Sequence, residues 1–349
     1  MGVKSVDVSD DSGATWHTLP GGSGEWNDEG DQINDTIFGQ SFKSTQPGLI
    51  RWTANANALY KGFAGYAAVV KKTGIATAMT GEAMSLVSGK TYQVTSAAKR
   101  LIDWTRAYTV YDNASPVAAA NIEEVNFLFG RVTFISGYTP AGSITLDGYY
   151  LPLAEVARAN SFTLTQTADS IDKSDYERSH ANNGYRVFDQ GLKTVSLELG
   201  GFYDQTSGFY ALLESREDFV IEINPDGSGL SVARGIFKMV NRAQSGDVGA
   251  LEEETRRFEL SIPSDVPVVF NWLHDDSTTL HESIQIMLEA WLAGTKPWIR
   301  YLPDGTDNQG FYGSCVITDL TLKNSLDGMN DFTVNVMGAD APIRGVVSN

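Results

Sequence analysis

The feature that most constrains this chain is a β-arm written twice. "REDFVIEINPDGSGL" begins at Arg216 and "TKPWIRYLPDGTDNQGF" begins at Thr295. Pro225, Asp226 and Gly227 recur as Pro303, Asp304 and Gly305, and Gly235 recurs as Gly313, all at one constant offset of 78. Upstream, Phe209, Tyr210 and Leu213 fall on Met287, Leu288 and Trp291, while Val220, Ile221 and Ile223 fall on Trp298, Ile299 and Tyr301. Proline fixes φ and glycine tolerates φ > 0, so Pro-Asp-Gly between apolar runs forms a turn at little cost. Two such turns in matched context point to an internal duplication. Downstream, "FELSI" from Phe258 matches "FTVNV" from Phe332 at an offset of 74, which implies four residues lost from the second copy.

Most of the chain reads as short strands separated by Gly, Asn, Asp and Ser. Examples are "SFTLTQT" from Ser161, "LKTVSLEL" from Leu192, "FVIEI" from Phe219, "GIFKMV" from Gly235 and "RRFELSI" from Arg256. One helix stands out in "STTLHESIQIMLEAWLAGT", where Leu280, Ile284, Met287, Leu288, Trp291 and Leu292 recur at helical spacing. A capping box from Thr279 and Glu282 is expected to start it and Gly294 to stop it. Its counterpart in the earlier copy is the shorter "SGFYALLES" from Ser207 to Ser215.

The copy ending near residue 343 has no room before its helix for opening strands. They are expected at the N-terminus, where "DQINDTIFGQ" from Asp31 parallels "DSIDKSDYER" from Asp169. Gly48 and Leu49 then meet Gly191 and Leu192, and Trp52, Ala54 and Ala56 meet Val195, Leu197 and Leu199. The expected fold is mainly β (α+β), with two tandem β-sandwich domains, each carrying one flanking helix, plus a small inserted β-rich domain. The expected divisions are 1–75 with 268–349 as a discontinuous domain, 76–156 as the insert and 157–267 as the second sandwich. The insert is expected to hold a short helix at "TSAAKRLIDW" from Thr95 and three strands within "VNFLFGRVTFISGYTPAGSITLDGYYLPL" from Val125.

The 349 residues allow two or three cores. A formal charge of −17 repels phosphate and anionic lipid, which argues against a DNA clamp or a peripheral membrane protein. No apolar run is long enough to span a bilayer, and "MGVKSVDVSDDSG" lacks the features of a signal peptide. The single cysteine, Cys315, precludes an internal disulfide and, beside Val316 and Ile317, reads as a buried strand residue.

Candidate sites are few. "SDDSGATW", Ser9 to Trp16, fits the Asp-box pattern S-x-D-x-G-x-T-W. A single copy is expected to be a hairpin turn, with Asp11 and Ser12 bonding backbone and Trp16 packed beneath. His274, Asp275, Asp276, His281 and Glu282 are metal-ligand types, but their spacing is not H-E-x-x-H and they suit a helix N-terminal loop. His17 and His180 are isolated. The acidic run Glu252 to Glu254 beside Arg256 and Arg257 is expected on a solvated or inter-subunit face. No G-x-S-x-G, Walker A or Rossmann pattern occurs. The expectation is a non-enzyme with no catalytic, cofactor-binding or metal-ligating residues and no cofactor.

"NANALYKGFAGYAAVVKKTG" from Asn55, "MTGEAMSLVSGKTYQVTSAAKRLIDW" from Met79, "LFGRVTFISGYTPAGSITLDGYYLPLAEVARANSFTLTQT" from Leu128 and "GLKTVSLELGGFYD" from Gly191 resemble the major tail (tail tube) proteins of long-tailed, non-contractile (siphovirus-type) bacteriophages. The resemblance covers nearly the whole chain as a pattern. It implies the version with two tube domains per chain, three chains making a ring of six domains, and rings stacking into the tube through which the genome is ejected. It further implies long polar loops touching the neighbouring ring, here Asn34 to Pro47 and Asp172 to Gln190. The implied partners are the chain itself, a tape measure protein inside the tube, tail terminator and tail-tip proteins, and DNA in transit without specific binding, with no membrane. The implied location is the virion tail, assembled in the host cytoplasm. The inserted unit departs from the simplest members of that family. An alternative from another class is a carbohydrate-binding or carbohydrate-active β-protein, prompted by the lone Asp box and by 7 Trp, 14 Tyr and 16 Phe.

Overall fold

The computed structural model describes residues 5–21, 23–36, 43–59, 69–155, 159–202, 210–224, 231–245, 253–264, 266–274, 281–303, 310–325 and 331–345. These residues are mainly β. Helices among them are confined to Tyr176–Ala181, Tyr210–Ser215 and Glu282–Ala293, with two 3-10 turns. Contacts divide the chain into two compact units: residues 1–65, 161–197 and 276–349, and residues 66–160 and 198–275.

The first unit holds Ser23–Asn34, Thr45–Leu59, Asp331–Gly338, Gly310–Ser325 and most of Ala159–Asp172 in antiparallel order, with residues 188–197 of Phe188–Phe202 as the next neighbour. The first half of Gly310–Ser325 also pairs with Trp298–Leu302, which carries Ser5–Ser9 and then His17–Thr18. Period-two alternation buries Trp52, Ala54, Ala56 and Ala58 on one face, with Phe332, Val334, Val336, Leu320, Leu322, Phe162 and Leu164. Each large side chain so buried contributes about 1.5–3 kcal/mol. Gly338 is required by close approach, since a Cβ there would collide with the Trp52 indole. That indole donates to the Asp340 carbonyl at 2.7 Å and stacks on Trp26 at 4.2 Å.

Helix Glu282–Ala293 buries Ile284, Met287, Leu288 and Trp291. Its N-cap is His281, whose Nδ1 accepts from the Ser283 amide, so Glu282 is the first helical residue and no capping box forms. Thr279 lies outside the described residues. Gly294 ends the helix in the left-handed region, as the sequence predicts. Lys193 Nζ donates to the Leu292 carbonyl at 2.8 Å, a cation at the negative end of the helix.

In the second unit, Val69–Thr73, Phe219–Asn224, Ser231–Ser245 and Glu253–Leu260 are neighbours in that order, with Leu153–Glu155 outside Val69–Thr73 and Phe270–His274 on Ser231–Gly235. Residues 77–150 form a separate seven-stranded sheet around Val94, Leu101, Ile102, Leu128, Phe129, Val132, Phe134, Ile144 and Leu146. The helix expected from Thr95 is only a 3-10 turn, Ala97–Lys99, because Leu101 and Ile102 are drawn into this core. Of the three strands expected after Val125, Arg131–Phe134 and Ile144–Tyr150 are present, whereas the first is shifted upstream to Ile122–Asn126 and residues 127–130 form a turn. At Gly130, φ is +61° and a Cβ would sit 2.7 Å from the Arg100 carbonyl oxygen, so only glycine fits.

The duplication is written in the pairing registers. Ile221↔Gly235 and Glu222↔Arg234 become Ile299↔Gly313 and Arg300↔Tyr312 on adding 78 to both partners. The same step carries Phe237↔Leu260, Met239↔Phe258, Asn241↔Arg257 and Ser245↔Glu253 onto Cys315↔Gly338, Ile317↔Val336, Asp319↔Asn335 and Lys323↔Asp331, including the bulge after Met239 and after Ile317. Phe258 is therefore equivalent to Val336, not Phe332, and no four-residue deletion exists. The long strands Thr45–Leu59 and Phe188–Phe202 have equal lengths, so a single step carries both ends of one onto both ends of the other. Gly48 faces Asp31 and Ile33 as Gly191 faces Asp169 and Ile171. Hereafter, repeat A denotes residues 5–59 and 282–345, and repeat B residues 69–73 and 153–274.

Val69–Thr73 pairs with Phe219–Asn224 as Ser5–Ser9 pairs with Trp298–Leu302. This strand thus belongs with repeat B, although the sequence division places it in the outer domain. The seven-stranded insert consequently interrupts repeat B between 73 and 153, where repeat A has only the turn at 10–16.

Candidate functional site

Alternation along the first unit's sheet sets a polar surface opposite the apolar one. Glu25, Asn27 and Glu29 stand beside Arg51, Thr53, Asn55 and Asn57; next come Asp331, Thr333 and Asn335, then Asp319, Thr321 and Lys323, then Thr163, Thr165 and Thr167. The side chains are largely spent on one another. Asn55 Nδ2 donates to Asn335 Oδ1 at 2.5 Å, Thr333 Oγ1 donates to Asn57 Oδ1 at 2.8 Å, Arg51 Nε donates to Glu29 Oε2 at 2.9 Å, and the Thr167 and Thr194 hydroxyls meet at 2.6 Å. Burial pushes the Asp319 carboxyl above its ordinary range, against hydrogen bonds from Thr321 and Asn335. Chemically this is a largely satisfied amide and hydroxyl lattice edged with carboxylates.

The loop at 172–190 is tied to this sheet near its second end, where the Ile50 amide donates to the Gly184 carbonyl at 2.9 Å. It contains helix Tyr176–Ala181, capped by Asp175, which accepts from the Arg178 amide at 2.7 Å. Arg186 bridges Asp172 and Asp31, and its amide donates to the Ile50 carbonyl at 2.8 Å. The loop at 35–44 lies partly outside the described residues.

The Asp-box residues form the expected turn. Asp11 Oδ1 accepts from the Thr15 amide at 2.8 Å and from Ser9 Oγ at 2.6 Å, and Ser9 Oγ accepts from the Gly13 amide at 3.0 Å. The serine in this network is Ser9 rather than the expected Ser12, which instead takes φ +62°. The Ser9 hydroxyl and the Thr15 amide hold the Asp11 pKa at about 2. Trp16 lies under the Arg300 guanidinium, 4.6 Å from ring centre to Cζ, and meets Tyr312 edge-on. Arg300 is in turn paired with buried Asp7 at 2.8 Å.

The histidine and acid candidates that the structure describes are engaged in local contacts. His281 caps its helix, Glu282 reaches His17 Nδ1 at 3.0 Å, and Asp275 and Asp276 lie outside the described residues. Among the described residues no group of three or more His, Cys, Asp and Glu could hold a metal ion. Cys315 is buried, as expected, and its Sγ lies 3.3 Å from the Pro297 carbonyl.

The acidic run departs most from expectation. Glu253 and Arg257 are exposed, as expected of a solvated face, but Glu254 is 3% exposed and Arg256 1% exposed, because strand alternation turns these two inward, and Glu252 lies outside the described residues. Glu254 Oε1 accepts from Arg242 Nε at 2.5 Å and from Arg256 Nε at 3.0 Å, while Oε2 accepts from Arg256 Nη2 at 3.0 Å. Burial raises the Glu254 pKa, but the two guanidinium groups outweigh it and hold the carboxyl below its ordinary value. Sequence spacing could not reveal this cluster, because Arg242 arrives from the adjacent strand.

No protein-family model matches the chain, and no curated protein is significantly similar to it. Among solved structures, a chain in the tail of an empty gene transfer agent particle, determined by helical refinement with C6 symmetry, is similar at 12% identity and a TM-score of 0.29, over 32% of this chain and 84% of that one. A chain in the virion of a native gene transfer agent particle is similar at 13% identity and a TM-score of 0.28, over 34% of this chain and 88% of that one. Superpositions this loose bear on neither fold nor function.

Proposed function

We propose that this chain is a structural virion protein of the phage-tail type, not an enzyme, which assembles with itself into stacked rings forming a tail tube for genome ejection. The observation that carries the reading is the register-matched duplication: one chain supplies two near-equivalent building blocks. Closed cyclic assembly by heterologous contacts needs each block to meet a similar neighbour, so three chains suffice for a pseudo-sixfold ring. Of the stretches that resemble tail tube proteins, the one from Asn55 enters the end of Thr45–Leu59 and the one from Gly191 covers most of Phe188–Phe202, while those from Met79 and Leu128 lie wholly or largely in the insert. On this reading the two polar loops reach the next ring. The tape measure, tail terminator and tail-tip proteins are the further partners, and the virion tail is the location.

The polar sheet surface would line the bore. Its carboxylates Glu25, Glu29, Asp319 and Asp331 outnumber its basic groups Arg51 and Lys323, and its middle is threonine and asparagine. Duplex DNA carries roughly one negative charge per 1.7 Å of axis, and each phosphate neutralised by a wall cation would slow passage. A wall of like charge avoids this within a Debye length of about 8–10 Å. Electron microscopy of purified protein, with mass measurement of isolated rings, tests the proposal. Three chains per ring is the expected result, and six chains per ring, or no rings or tubes, overturns it.

A further inference from the structure

One strand contact made inside the chain has an unfilled equivalent. Ala159–Asp172, of repeat B, lies antiparallel on Gly310–Ser325, of repeat A, from Ser161↔Ser325 to Thr167↔Asp319. The strand equivalent to Gly310–Ser325 is Ser231–Ser245, by the offset that relates the two ladders. Among the described residues it pairs only with 219–224, 253–260 and 270–274, leaving no strand on that flank of 241–245. The strand equivalent to Ala159–Asp172 is Ser23–Asn34, by the match of Asp31 with Asp169, and its strand partner among the described residues is Thr45–Leu59. Among the described residues, a donor strand and a receiving edge are thus both present without their counterparts.

We propose that Ser23–Asn34 of one copy of this chain adds antiparallel to the 241–245 edge of a second copy, with Glu25 opposite Ser245, Asn27 opposite Ala243 and Glu29 opposite Asn241. The register follows from the in-chain pairs Thr163↔Lys323, Thr165↔Thr321 and Thr167↔Asp319 by subtracting 138 from the donor and 78 from the receiver. Burial matches the difference between filled and unfilled contacts. Leu164, Gln166, Leu320 and Leu322 are each 0% exposed, whereas their equivalents Trp26 and Arg242 are half-buried and Asp28 and Gln244 are exposed. Asp28, which also pairs with Arg344 at 2.6 Å, comes opposite Arg242, which also pairs with Glu254, so each gains a further neighbour of opposite charge. Strand addition satisfies backbone groups that an edge otherwise offers to water. Donor and receiver are different surfaces, so the contact propagates head to tail.

This inference deepens the self-assembly reading, and its test separates the two. Asn27→Cys and Ala243→Cys are placed on two differently tagged, co-expressed chains; both side chains are exposed. Burial pushes the native Cys315 thiol far above its ordinary pKa, which keeps it unreactive. Mild oxidation should give a mixed-tag dimer on non-reducing gels, at least roughly tenfold more than Asn27→Cys with Gln244→Cys, whose side chain leaves the strand on the opposite face. No cross-link in preparations that show rings or tubes overturns the strand pairing and leaves the tube reading standing. A cross-link without rings or tubes upholds the pairing and overturns the tube reading. Neither cross-link nor assembly overturns both.

Discussion

Repeats A and B build the same ladder around opposite chemistry. Arg242, Glu254 and Arg256 of repeat B occupy the register positions of Leu320, Phe332 and Val334 of repeat A. One repeat buries a carboxylate between two guanidinium groups where the other buries apolar side chains. A second exchange involves size: Trp52 and Gly338 of repeat A correspond to Val195 and Leu260 of repeat B. Backbone register therefore persists while core chemistry drifts, provided each site remains internally compensated.

The largest expected effect breaks the charged site. Glu254→Ala leaves Arg256 buried without its carboxylate and should cost about 3–5 kcal/mol in denaturant unfolding. Grafting repeat A's residues, as Arg242→Leu with Glu254→Phe and Arg256→Val, should restore wild-type stability or exceed it; a graft as unstable as the single variant would refute the equivalence. The acid response sharpens the point. The Glu254 carboxyl is depressed in the folded state, so its stabilisation is present above the ordinary carboxylate pKa of about 4.3 and is lost as pH falls through the lower folded value. The graft should lack that component of acid sensitivity.

The size exchange comes next. Gly338→Leu alone should overpack the Trp52 site and cost about 1–3 kcal/mol or more. Trp52→Val alone should leave a void costing about 3 kcal/mol. The double variant should be more stable than the two losses summed, and additive losses in a double-mutant cycle would deny the compensation.

The smallest effect concerns the turn that only repeat A possesses. Asp11→Ala should lower the melting temperature by less than either change above. Asp11 has a folded pKa of about 2, so its contribution is complete above the unfolded value of about 3.9 and disappears as pH falls through 2. A variant whose melting temperature matched wild type at neutral pH would show that the hydrogen bonds to Ser9 and Thr15 do not hold the turn.

Much of the repeated sheet is legible in the sequence, because the strands nearest the Pro-Asp-Gly turns keep their alternation and because Gly48 and Gly191 sit in identical settings. Apart from Pro303, the turns themselves lie outside the described residues. The misleading match is Phe258 with Phe332. Residue type favours it, but position 332 is equivalent to Glu254, and a phenylalanine exchanged for a glutamate hides a true correspondence. Glu254 reads as surface because its partner Arg242 is brought by sheet pairing rather than by local spacing. Val69–Thr73 goes to the wrong neighbour for a related reason, since its partner strand at 219–224 is remote in sequence. The polar sheet surface has only a weak signal, alternating Thr and Asn, which is common to any half-exposed strand.

The position of the insert also carries an engineering lesson. Repeat A closes its first hairpin with residues 10–16, whereas repeat B accommodates residues 74–152 between the paired strands 69–73 and 153–155. For a structureless loop that difference in length would cost about 2 kcal/mol in closure entropy. The insert avoids most of this penalty because its own ends are already joined, Thr77 lying opposite Tyr150 in one ladder. A foreign domain whose termini lie one strand spacing apart could be transplanted into the equivalent turn at 10–16, giving a chain that displays cargo from both repeats without altering either ladder.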